Sequence, residues 1–143
     1  MQLDIFNKEL VKEVEPTFDI SFDDIYNGYF EIFKSREIDS VNIIFVKSEY
    51  IHELNMKYRG MNAPTDVLSF SQSDKQGEIY ISPEFVYTSF KGDEFEQEIL
   101  RLIIHGTLHI LGYDHKESMN DSLEEEMFRV QEELLLKYIK ICS

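Results

Sequence analysis

The chain has 143 residues, of which 43% are apolar and 13% aromatic, and its 14 basic and 28 acidic side chains give a formal charge of −14. A chain of this length buries about 68–70% of its unfolded surface in one core, so the composition excludes disorder and residues 1–143 are read as a single domain. The charge argues against coating nucleic acid or anionic membrane by bulk attraction, and the lone Cys142 excludes an internal disulfide framework and any thiolate zinc cluster.

In chain order, Met1 to Phe6 reads as an edge strand. Ser21 reads as the cap of a helix in which Phe22, Ile25, Tyr29, Ile32 and Phe33 recur at helical spacing. Val41 to Val46 is β-branched and apolar, which suits a buried strand. Ser48 is expected to cap a helix to about Tyr58, with Gly60 as its stop. Asp66 to Phe70 and Glu78 to Ile81 read as strands, with the polar run Ser71 to Gly77 as the loop between them. Ser82-Pro83 is a cap followed by proline at the first helical position. Asp93 and Glu96 form a D-x-x-E capping pair ahead of a helix through Leu111, which Gly112 ends in a left-handed conformation. Leu123, Met127, Val130, Leu134, Tyr138 and Ile141 mark a last amphipathic helix. This order predicts an α+β fold: one small mixed sheet of about four strands with helices packed on it.

The richest apolar stretch, Ile99 to Gly112, is broken by Arg101, His105 and His109 and falls short of the roughly 20 residues that span a bilayer. The first residues lack the basic and apolar regions of a secretory leader, so a cytoplasmic protein with no membrane partner is expected.

Three of the four histidines fall in one run, His105 to His115, with the pattern H-x-x-x-H-x-x-G-x-x-H. Helical positions four apart share a face, so His105 and His109 can converge on one ion, while Gly112 lets the chain turn and deliver His115 as a third ligand. Three imidazoles leave one tetrahedral position open, and open positions mark catalytic rather than structural zinc sites. Zn²⁺ is the expected ion, although three histidines also suit Ni, Cu or Fe. His52, alone on its helix, reads as a solvated or capping side chain. The spacing matches the metzincin proteases except where those carry the glutamate base beside the first histidine. Here that position is Gly106, which makes room either for a bulky substrate group or for close backbone packing.

At these residues the chain resembles the YbeY family of bacterial endoribonucleases and rRNA maturation factors. The signature H-G-x-L-H-x-x-G-Y-D-H is met at every specified position from His105 to His115. Further blocks of similarity are Leu54-Asn55 with Tyr58-Arg59-Gly60, Pro64 to Phe70, Gly77-Glu78-Ile79, and the acidic start of the last helix around Glu124 to Phe128. The resemblance implies an α+β fold with a zinc site in a cleft, and zinc held by His105, His109 and His115. It further implies a functional arginine at Arg59, and cleavage of single-stranded RNA in small-subunit rRNA 3′-end maturation and ribosome quality control. Two departures are Glu78 for the more usual aspartate and Ser71 for a proline. Neither touches the metal ligands.

RNA hydrolysis needs a nucleophile, a sink for phosphoryl charge and a path for the leaving group. An ion on neutral imidazoles keeps its +2 charge and can acidify water or polarise a phosphate oxygen. Arg59 offers a planar, permanently charged fork suited to a phosphate; the alternative is a structural ion pair. Asp114 can orient a ligand imidazole, act as a base or cap the turn after Gly112. Thr65-Asp66 can form a turn, pin Arg59 or line the cleft. A non-catalytic metal-binding assembly factor and a zinc peptidase are the competing readings. Residues 34–60 hold five basic side chains, Lys57 and Arg59 among them, against four acidic, whereas residues 93–143 hold twelve acidic against five basic. With charges screened beyond about 8 Å, a local basic strip with Lys57 and Arg59 can still bind phosphate. The acidic remainder points to delivery of the substrate by the ribosomal small subunit or its assembly proteins. Filter binding of random single-stranded RNA in salt of about 150 mM should therefore show affinity well short of nanomolar.

Overall fold

The computed structural model describes residues 1–113 and 121–143, side chains at 121–123 excepted. Four strands, β1 (Gln2–Phe6), β2 (Ser40–Phe45), β3 (Val67–Ser73) and β4 (Gln76–Ile81), form one sheet in the order β1-β2-β4-β3. β1, β2 and β4 are parallel, and β3 is antiparallel to β4. The helices are α1 (Glu9–Val14), α2 (Phe22–Phe33), α3 (Ser48–Arg59), α4 (Pro83–Tyr87), α5 (Gly92–Leu108) and α6 (Asp121–Cys142). This is the α+β arrangement, with a mixed four-stranded sheet, that the residue pattern predicts.

Alternation along β2 divides the layers, because successive side chains point to opposite faces. Val41, Ile43 and Phe45 enter the main core with Ile79 and Ile81 of β4 and the buried faces of α2, α5 and α6. Ile44 faces the other way and joins Ile51, Leu54, Leu68, Phe70 and Tyr80, the smaller cluster beneath α3.

Several boundaries depart from the sequence reading, for identifiable reasons. The short α1 was not anticipated: it buries only Val11 and has no side-chain cap, so it carries no periodic signal. The polar run expected as a loop is mostly strand. β3 reaches Ser73, with Ser71 opposite Gly77 and an irregularity between Ser71 and Ser73. Ser48 is the first helical residue rather than the cap, and its N–H donates to Oε1 of Glu84 at 2.7 Å. Asp93 and Glu96 form no capping pair. Lys91 occupies the cap position, the Gly92 N–H donates to Oε2 of Glu15 at 3.0 Å, and Glu96 accepts the Asp19 N–H at 2.9 Å. A carboxylate from elsewhere in the chain thus satisfies one orphan donor at the start of α3 and one at the start of α5, where the helix dipole favours negative charge. The Thr17 hydroxyl, and then the Gly92 N–H, hold the Glu15 carboxyl below its usual range. The caps at Ser21 and Ser82 form as expected, accepting from Asp24 and Phe85.

The hydroxyls of the two most enclosed tyrosines are paired. The Tyr138 hydroxyl donates to the Ile25 carbonyl at 2.7 Å, and the Tyr29 and Thr107 hydroxyls meet at 3.0 Å. Burial pushes both tyrosines well above their ordinary values and the Cys142 thiol up to about 12. An acid whose folded pKa is raised holds its proton after the unfolded chain has lost it. The contribution of these groups to stability should therefore be level below about pH 8.5, the ordinary thiol value, and decline above it. Urea midpoints should drop between about pH 8 and about pH 10, and Cys142→Ala should flatten that part of the decline.

Candidate metal centre and cleft

Along α5, Glu98, Arg101, His105 and His109 are spaced three, four and four residues apart, so they share one face. The other sides of the helix are buried: Phe95, Ile99, Leu102, Ile103 and Gly106 all pack into the core. The polar face must then look toward α6 and the cleft. The Nε2 atoms of His105 and His109 stand 2.8 Å apart, with ring centroids 4.3 Å apart at 72°. Nitrogens sharing a tetrahedral zinc at about 2.0–2.1 Å sit roughly 3.3 Å from each other. The pair therefore needs to open by only a few tenths of an ångström to hold one ion, and its donor set suits zinc. The far nitrogen of His105, Nδ1, lies 2.7 Å from Oε1 of Gln131 on α6.

Past Leu108 the chain makes one wide turn, His109–Tyr113, in which Gly112 has φ +97°. The left-handed exit predicted at Gly112 is present. His115 and Asp114 lie outside the described residues, and no group of three possible metal ligands forms among the described residues.

Both histidines line a cleft of about 470 Å³ whose other walls are Tyr58 and Arg59 of α3 and the chain from Thr65 to Ser71. α3 ends at Gly60 in the left-handed conformation, φ +66°. Arg59 is thus the last helical residue and lines the cleft. It is exposed, and among the described residues it makes no ion pair. Thr65 and Asp66 line the cleft, joined at 3.3 Å between Oγ1 and Oδ1, and do not pin Arg59. Lys57 lies outside the lining residues, its Nζ 5.1 Å from the Tyr58 ring centroid. Glu78 is also outside the lining: it pairs with Phe70 across the sheet and accepts from the Tyr80 hydroxyl at 3.4 Å. His52 bonds Asn62 at 2.8 Å on the surface.

Gly106 resolves toward packing. A Cβ there would stand 2.7 Å from Cγ2 of Ile79, so the missing side chain lets α5 approach β4 and opens no room for a substrate.

Sequence reasoning missed the network behind His105. Arg101 donates to Glu132 through Nε and Nη2 at 3.0 and 3.1 Å and to Glu98 through Nη1 at 3.0 Å. These bonds, Glu132 first, raise the guanidinium pKa, and the Arg101 bond keeps the Glu132 carboxyl below its usual range. The available signal was Gln131, a polar residue 7% exposed on the stripe of Met127, Leu134 and Tyr138.

These features define a class: an α+β protein whose most enclosed helix presents paired imidazoles at the floor of a polar cleft. A family model described as Endoribonuclease YbeY matches residues 4–139. Among curated relatives, the Endoribonuclease YbeY of Shouchella clausii is 37% identical over 134 residues, covering 80% of this chain and 82% of that protein. That of Acholeplasma laidlawii is 34% identical over 143 residues, covering 96% of each. A solution structure from Thermotoga maritima superposes with a TM-score of 0.64 at 31% identity, over 96% of this chain and 89% of that one. The chain belongs to the endoribonuclease YbeY family.

Because Ile79 leaves no space at Gly106, Gly106→Ala should destabilise the fold by about 1–3 kcal/mol through overpacking, despite the better helix propensity of alanine. A urea midpoint measures this, and in an Ile79→Ala background the same substitution should cost less.

Proposed function

We propose that this chain is a zinc-dependent, single-strand-specific endoribonuclease acting in small-subunit rRNA 3′-end maturation and ribosome quality control. It would work in the cytoplasm with the small subunit or its assembly proteins, and as one domain. The reading rests on family membership together with one observation: two imidazole Nε2 atoms 2.8 Å apart share a cleft with a guanidinium that no described carboxylate neutralises.

His105 and His109 would hold the ion, with His115 as the third ligand. When bound, a divalent ion supplies Lewis-acid charge at a phosphoryl oxygen and acidifies water. Arg59 binds the scissile phosphate as a planar fork and stabilises the negative charge that develops on it. Tyr58, 57% exposed and in ring contact with Phe70 at 5.2 Å, offers a face on which an unpaired base stacks. That preference suits a single strand, because paired bases hide their faces. Asp66 is the carboxylate among the described lining residues and can accept a proton at Oδ2, the oxygen not bonded to Thr65. The peptidase reading needs a glutamate beside His105, where Gly106 is packed against Ile79. Lys57 would add attraction for phosphate, and Asp114 would orient an imidazole.

An rRNA 3′-precursor should be cut by the wild type, lose cleavage on chelation and regain it with Zn²⁺. Arg59→Ala should lower kcat/KM by about 10²-fold or more, and Tyr58→Ala should weaken binding by about tenfold. A folded Arg59→Ala protein that cleaves like wild type would falsify the role given to Arg59.

A further inference from the structure

We propose that Gln131 is a positioning residue that locks His105 in the Nδ1–H tautomer and so aims the bare Nε2 into the cleft. The hydrogen-bond inventory assigns this from the outside inward. Arg101 can only donate, so both oxygens of Glu132 accept from it, at 3.0 and 3.1 Å. The same Oε2 of Glu132 lies 3.1 Å from the amide nitrogen of Gln131. A flipped amide would set its own oxygen against that carboxylate, acceptor against acceptor. The amide must therefore present its nitrogen to Glu132 and its oxygen to His105. Oε1 then faces Nδ1 at 2.7 Å, and an oxygen acceptor requires a proton on that nitrogen. In a neutral imidazole the other nitrogen is then a lone pair, and here it is the one directed at His109.

Burial makes the choice rigid. Gln131 is 7% exposed and Glu98, which steadies the far side of Arg101, is 8% exposed, so water does not compete freely for these groups. The polar chain joins α5 to α6: Glu98, Arg101 and His105 come from one helix and Gln131 and Glu132 from the other. Gln131 is neutral, so it fixes the proton without adding charge beside the imidazoles. The lock stands on geometry, and its consequence for metal affinity rests on the metal-centre reading above.

Two measurements on the full chain test it. At about pH 8, long-range ¹H–¹⁵N spectra of chelator-treated protein should show His105 as Nδ1–H. In Gln131→Leu that signal should turn mixed or Nε2–H. Zn²⁺ titrated against a chromophoric chelator should bind Gln131→Leu about 10–100-fold more weakly. An Nε2–H signal in the wild type overturns the proposal, as does a folded Gln131→Leu protein with unchanged tautomer and Zn²⁺ affinity. The wild-type spectrum needs no variant, so the test survives a substitution that fails to fold. An Nδ1–H wild type that takes up no Zn²⁺ supports the lock and sinks the metal-centre reading instead.

Discussion

The contact between Gly106 and Ile79 sets how closely α5 rides over the sheet. A Cβ at Gly106 would fall 2.7 Å from the Ile79 side chain, so the helix comes down to a distance that only glycine permits. With that face pressed on β4, and with Phe95, Ile99 and Ile103 buried beside it, one face of α5 is left for polar groups. His105 precedes the contact by one residue and His109 follows by three. Their position at the cleft floor is thus a consequence of core packing, and interiors are too dense to let it drift.

The polar face creates a debt of its own, since buried charges must be paired. Arg101 settles between Glu98 and Glu132, and Gln131 links that cluster to His105. One set of hydrogen bonds therefore satisfies buried groups and orients an imidazole. Across the cleft Arg59 has no counterpart of this kind among the described residues. The two arginines illustrate how environment assigns a role to identical chemistry: one is enclosed by carboxylates and the other faces the opening.

The formal charge of −14 looks hostile to a polyanionic ligand until the acids are placed. Glu15 and Glu84 cap backbone N–H groups at the starts of α5 and α3, Glu96 binds the Asp19 N–H, and Glu98 and Glu132 neutralise Arg101. A share of the negative charge is thus committed to backbone and counter-ions. What a phosphate would meet at the cleft is local, within a screening length of about 8 Å, and there the described lining sets Arg59 and two imidazoles against Asp66.

Much of this was legible along the chain, because periodicity and capping are short-range physics. The β-branched run at Val41 marked a strand, Ser21 and Ser82 marked helix starts, Gly60 and Gly112 marked left-handed exits, and the four-residue interval put His105 and His109 on one face. Where local chemistry misled, as at Ser48 and at Asp93 with Glu96, a donor or acceptor from elsewhere in the chain had taken the expected partner's place. The same limit hid Gln131 and left two readings of Gly106 open. Spacing says which side chains share a face, whereas a neighbour across a helix pair or beneath a helix is chosen by packing. Which atoms of α6 meet His105, and which residue of β4 lies under Gly106, were settled only when the core closed.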